Sequence, residues 1–150
     1  MRIVNNPTEI DGLRVVQNNE EIAEALKNDE TVLHWEGGDS MTPLINHLEF
    51  CRIEPLYSID DVKRGDAVFC KMTDPSTQIS YYMVHQVWEI SDSGHDRKKW
   101  FKIGSTMSTI FGWTQEVLGI AYGTDIYQSS RVWAKMMEEE EKMREREENF

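Results

Sequence analysis

Gly37-Gly38-Asp39-Ser40-Met41-Thr42-Pro43 places a small nucleophile directly after two glycines and an acid, at the end of an apolar run. A serine presented where a strand turns into a helix has an exposed hydroxyl beside unpaired backbone N–H groups, which suit an attacking oxygen and an oxyanion. Ser40 is therefore a candidate nucleophile, with Gly38, Asp39 and Met41 as its loop. The same residues also fit a plainer role, in which Asp39 or Ser40 only caps a short helix. Serine needs a base, and the best-placed one is His85 in Tyr81-Tyr82-Met83-Val84-His85-Gln86-Val87-Trp88. Strand alternation puts Met83, His85 and Val87 on one face and Tyr82, Val84, Gln86 and Trp88 on the other. Apolar neighbours favour a neutral, proton-accepting imidazole.

These residues need elements to hold them. Strands are expected at Thr31 to Glu36, Leu48 to Glu54, Asp66 to Met72, Ile79 to Ile90, Trp100 to Ile103 and Val117 to Tyr122, all rich in β-branched and aromatic residues. The turns between them are Gly37-Gly38-Asp39, Arg64-Gly65-Asp66, Asp74-Pro75-Ser76 and Ser91-Asp92-Ser93-Gly94, so hairpins are the expected topology. Asn18-Asn19-Glu20-Glu21 is an Asx cap with a Glu three residues on, followed by Ile22, Ala25 and Leu26 at helical spacing, which predicts a helix over about 19–29. A charged helix is expected over 131–150. There Glu138 with Lys142 and Glu140 with Arg144 are spaced for i,i+4 pairs, and Trp133, Met136, Met137, Glu140 and Met143 form a stripe with a charged residue in it. The fold class is thus mainly β (α+β), a single domain over 1–130 followed by that helix.

The chain has 150 residues, enough for one hydrophobic core without cross-links. With 16 Lys plus Arg against 27 Asp plus Glu, the net charge is −11, which disfavours general nucleic-acid binding. No apolar run reaches the length of a signal peptide or membrane span, so a soluble, cytoplasmic protein is expected. Cys51 and Cys70 lack Cys-x-x-Cys spacing and sit in apolar runs, as buried thiols do. His34, His47 and His95 share no metal-ligand spacing, and His34 is expected on the strand leading to Ser40. Arg97-Lys98-Lys99 is expected at a solvated hairpin end. Tyr81, Tyr82, Trp88, Trp100 and Trp113 fit either ordinary core or a peptide-binding wall, with core the plainer reading.

Four segments occur in a telling order: Gly38-Asp39-Ser40-Met41-Thr42-Pro43, then Val62-Lys63-Arg64-Gly65-Asp66-Ala67-Val68-Phe69, then Val84-His85-Gln86-Val87, then Phe101-Lys102-Ile103-Gly104-Ser105 with Val117-Leu118-Gly119-Ile120-Ala121. Together they resemble the LexA and signal-peptidase family of serine peptidases over about residues 32–123. The third segment is similar to the family's base segment, which holds Lys in the LexA and bacterial branches and His in the archaeal and endoplasmic-reticulum signal peptidases. The resemblance implies a small β domain in which Ser40 is the nucleophile and His85 the general base. It also implies an oxyanion met by the Ser40 N–H and a group from Gly37-Gly38. Two positions depart from the pattern. Gly104-Ser105-Thr106 stands where the signal-peptidase branches carry Gly-Asp, and Asn46-His47-Leu48-Glu49 replaces the Gly-Asp that closes the nucleophile helix. The expected function is a cofactor-free, metal-free serine peptidase cutting a protein or peptide through Ser40 and His85. The alternative is an inactive binding protein on the same fold, an acidic accessory or mimic that meets a basic protein.

Overall fold

The Asn18 side chain accepts the Glu21 N–H at 3.1 Å, so helix α1 (Asn19–Lys27) begins at the predicted cap. Its buried stripe is Ile22, Ala23, Ala25 and Leu26. The computed structural model describes residues 1–92 and 98–148 and, within the last helix, omits the side chains of Ser130, Val132, Trp133, Met136, Met137 and Glu148. His95, Arg97 and the Ser93-Gly94 half of one expected turn therefore lie outside the described residues, as do the side chains of three members of the Trp133–Met143 stripe.

Strands β4 (Val32–Trp35), β5 (Glu49–Pro55), β6 (Ala67–Thr73), β7 (Ser80–Asp92), β8 (Lys99–Gly104) and β10 (Val117–Gln128) lie where the composition of the chain puts them. Four further strands were not legible: β1 (Arg2–Val4), β2 (Glu9–Ile10), β3 (Leu13–Arg14) and β9 (Ile110–Thr114). The first three are too short to show a period. The fourth is interrupted by Gly112 and exposed on most of its length. The main sheet runs β4-β5-β10-β6-β7-β8-β9, with β1 parallel to the end of β10. The hairpins β6–β7, β7–β8 and β8–β9 are antiparallel neighbours, whereas β10 returns to fill the place between β5 and β6.

Alternation along β6 divides the core. Ala67 and Phe69 face the layer under α1, with Val32, Ile53, Val84 and Ala121, and the Phe69 ring stacks on Tyr82 at 5.3 Å. Val68, Cys70 and Met72 face the other way, against Val87, Phe101, Ile103 and Val117. Strands β6 to β9 curl around this second layer until β9 reaches back to β6, where the Thr114 hydroxyl donates to the Lys71 carbonyl at 2.6 Å. Cys51 and Cys70 are buried free thiols, both raised by desolvation.

The expected helix after Ser40 is instead a run of turns. Thr42 N–H bonds the Asp39 carbonyl and Ile45 N–H bonds Met41, but no further bond extends these turns into a helix. Helix α2 (Ser130–Glu148) forms as expected, yet neither Glu138–Lys142 nor Glu140–Arg144 closes as an ion pair. All four side chains are exposed, where such pairs gain little. No helix among the described residues is long and apolar enough to cross a membrane.

Gln128, at the end of β10, is 2% exposed, and neither its side-chain oxygen nor its nitrogen has a hydrogen-bond partner. An unmet buried amide costs stability that an apolar group of similar shape does not. Gln128→Met should therefore raise the stability measured by urea unfolding, by about 1 kcal/mol.

Candidate active site

The segment between β4 and β5 contains Ser40 and has no helix or strand of its own. Its fixed points are apolar. Met41 is 6% exposed and Ile45 9%, and both pack with Cys51 and Val84 in the layer under α1. Ser40, Asp39 and Gly38 remain exposed. Burial of Met41 is thus what turns its neighbour Ser40 outward. Gly38 takes φ +103, a conformation that favours glycine.

Three hydrogen-bonded contacts hold this loop. At its start, the buried His34 places Nδ1 3.0 Å from the Val16 carbonyl and Nε2 2.9 Å from Glu36 Oε1. A carbonyl can only accept, so Nδ1 carries a hydrogen and the contact to Glu36 needs a second proton between ring and carboxyl. Burial pushes the Glu36 carboxyl up, but the hydrogen bond and attraction of His34, with a lesser pull from His85, leave it below the ordinary carboxylate value. Across the middle, Thr106 donates its N–H to the Ser40 carbonyl at 2.9 Å, while its hydroxyl lies 2.6 Å from the Thr42 carbonyl and 3.1 Å from that of Ser40. At the end, the buried Glu49 carboxylate accepts the Asn46 N–H at 2.9 Å and the Asp125 N–H at 2.8 Å. Gly123 on β10 has no room for a side chain here, because a Cβ would stand 2.8 Å from Glu49 Oε2 and 2.9 Å from the Leu44 carbonyl.

These contacts give a physical role to both departures from the family pattern. Glu49 closes the loop in the segment that replaces the first Gly-Asp. In the second, Ser105 is buried and its Oγ accepts the Met107 and Thr109 N–H groups at 3.2 and 3.1 Å, which shapes its own loop. No hydrogen bond joins Ser105 to a histidine among the described residues. The neighbouring Thr106 is the residue that reaches the serine loop.

His85 keeps the predicted alternation: Val84 and Tyr82 pack in the layer under α1, while Met83 and Val87 pack in the opposite layer. The His85 ring lies against Phe111 of β9, with centroids 4.5 Å apart and planes tilted by 52°. Burial lowers the imidazole below its ordinary value, and the attraction of Glu36 offsets part of that shift. Its Nδ1 is buried with no hydrogen-bond partner. Ser40 lines a small cleft of about 20 Å³ with His34, Glu36, Gly38, Met41 and Val84, room for about one water. His85 is not in that lining, and no hydrogen bond joins it to Ser40 among the described residues. Glu36 lines the serine cleft and bonds to His34, and its charge is near enough to offset part of the lowering of His85.

Of the expected oxyanion donors, the Gly38 N–H is engaged by His47 Nδ1 at 2.7 Å, so it can meet an oxyanion only after that bond opens. Asp39 uses its carbonyl in the turn to Thr42. Glu36 is not among the residues the sequence marks, and Glu49 and Thr106 stand there only as members of the two departing segments, with no role of their own. Glu36 carries a readable signal, since it stands two residues after His34, just past the end of β4, where continued strand alternation keeps the two on one side. No cluster of three or more metal-ligating side chains occurs among the described residues. Comparison of the chain with family models, curated proteins and solved structures finds no match.

Two outcomes follow from this geometry. Glu36→Gln removes a charge that favours the imidazolium, so the His85 titration followed by NMR should move further below about 6.5, the ordinary histidine value. Thr106→Val retains the N–H contact but loses the hydroxyl, and should lower stability to urea by about 1 kcal/mol.

Proposed function

We propose that the protein is a serine peptidase in which Ser40 is the nucleophile and His85 the general base, on a LexA and signal-peptidase-like β domain. The observation that carries this reading is an outward-facing Ser40 on a pinned loop, together with a neutral imidazole whose Nδ1 has no partner. Attack transfers the Ser40 hydroxyl proton to His85 as Oγ bonds to the scissile carbonyl carbon. The imidazolium then returns that proton to the leaving amine, and water repeats the sequence on the acyl-enzyme. The Ser40 N–H is the oxyanion donor of this reading, with Gly38 joining it once His47 is displaced. Glu36 stabilises the imidazolium through its field rather than through a hydrogen bond. The two catalytic groups must draw together on binding substrate, as hydrogen bonds in unliganded sites commonly do.

A second reading has a specific observation in its favour. The missing Ser40–His85 hydrogen bond and the single-water cleft suit a binding protein that has kept the fold and lost turnover.

A fluorophosphonate probe separates the two. The wild type should gain one adduct by intact mass, Ser40→Ala none, and His85→Ala a rate lower by at least about 100-fold. Labelling should fall as pH drops through the lowered His85 value, because protonation removes the base. Equal labelling of wild type and Ser40→Ala, or none of either, overturns the peptidase reading.

A further inference from the structure

Of the five aromatic residues for which core is the plainer expectation, Tyr82 and Trp88 are half-buried and Tyr82 packs on the core, whereas Tyr81, Trp100 and Trp113 stand exposed, joined by Phe111. Tyr81 is 43% exposed, Trp100 39%, Phe111 40% and Trp113 42%. They line a groove of about 720 Å³ that shares no lining residue with the Ser40 cleft.

The groove is the open seam of the curled sheet. β9 ends the strand order and pairs only with β8, so its other edge faces the seam. Opposite stand Met72 and Thr73 of β6, beyond the last β6 residue paired with β10, Cys70. The seam is pinned at one end, where Lys71 N–H donates to the Glu116 carbonyl at 2.9 Å and Thr114 donates to Lys71. Past that point, two strand edges and an aromatic wall face open space.

The charge of the lining is one-sided. Asp74 and Glu116 are its carboxylic acids, and among the described residues no lysine, arginine or histidine belongs to it. Neither carboxylate forms an ion pair among the described residues. The Asp74 carboxyl is held below its ordinary value by hydrogen bonds from Ser76, which keep it ionised. The nearby Lys71 ammonium turns to the opposite face of the sheet, 5.9 Å from the Tyr82 ring.

We propose that this seam binds an extended peptide segment carrying lysine or arginine between apolar residues. Its backbone pairs with the free edge of β9, and its cationic side chains lie among Trp100, Trp113, Asp74 and Glu116. A free edge supplies backbone hydrogen bonds, and aromatic faces with carboxylates hold a cation. The −11 charge of the chain draws the same partner. Single-stranded nucleic acid also stacks on aromatic walls, but the two carboxylates repel its phosphates. Phe111 of the groove also packs on His85, but peptide binding here does not rest on Ser40 chemistry and stands whether or not Ser40 reacts.

The test titrates the full chain with an acetylated, amidated peptide of alternating lysine and valine, about eight residues long, followed by tryptophan fluorescence and calorimetry. Saturable binding is expected, weakened at least about tenfold by Glu116→Gln and by Trp113→Ala, and weakened by salt. The glutamate-for-lysine peptide and oligo-dT should not bind. Absence of saturable binding, unchanged affinity in both variants, or tighter binding of oligo-dT overturns the proposal.

Discussion

An irregular segment inside a β domain has to satisfy its backbone polar groups from elsewhere, and the loop between β4 and β5 does this with side chains from three separate parts of the chain. Thr106 reaches it from the β8–β9 loop, and Glu49 ties it to β10. His34 and Glu36 fix its start against Val16. Every element that supplies a contact must therefore be in register before Ser40 is in place. The buried side chains of Met41 and Ile45 then decide which way the loop faces. The position of the serine is a property of the whole sheet.

The same economy governs His85. It sits on a strand whose two faces belong to different core layers, so neither face offers it a carboxylate at hydrogen-bond distance. Burial alone makes it neutral, and the half-exposed Glu36 acts on it through space. Ser-His catalytic sites use a bonded acid to fix tautomer and ring angle, whereas here packing against Phe111 holds the His85 ring. Phe111 also lines the aromatic seam on the far part of β9, so a single edge strand borders both the imidazole and the groove.

Much of this was legible in the sequence. The Asn18 cap, the long strands β6, β7 and β10 and the alternation about His85 are local patterns, and local patterns survive folding because they set the period of the buried face. What was not legible is non-local. Thr106 has no feature that marks it as the partner of Ser40 and Thr42, residues more than sixty positions away. Strand β9 is broken by Gly112 and lies at an edge, where little burial imposes alternation. Tyr81, Trp100 and Trp113 have the composition of core residues, and only the curl of the sheet leaves them facing an open seam. After Ser40 the expected helix is replaced by turns, which bury Met41 and Ile45 all the same.

The claim at the centre of this account is that Ser40 and His85 act as one unit although no hydrogen bond joins them in the free protein. A crystal structure of the protein reacted with a peptidyl phosphonate tests it most directly. The account predicts phosphorus bonded to Ser40 Oγ, an adduct oxygen against the Ser40 N–H, and a His85 ring nitrogen within about 3 Å of the adduct. An adduct on another residue, or one on Ser40 with His85 still out of reach, would contradict it.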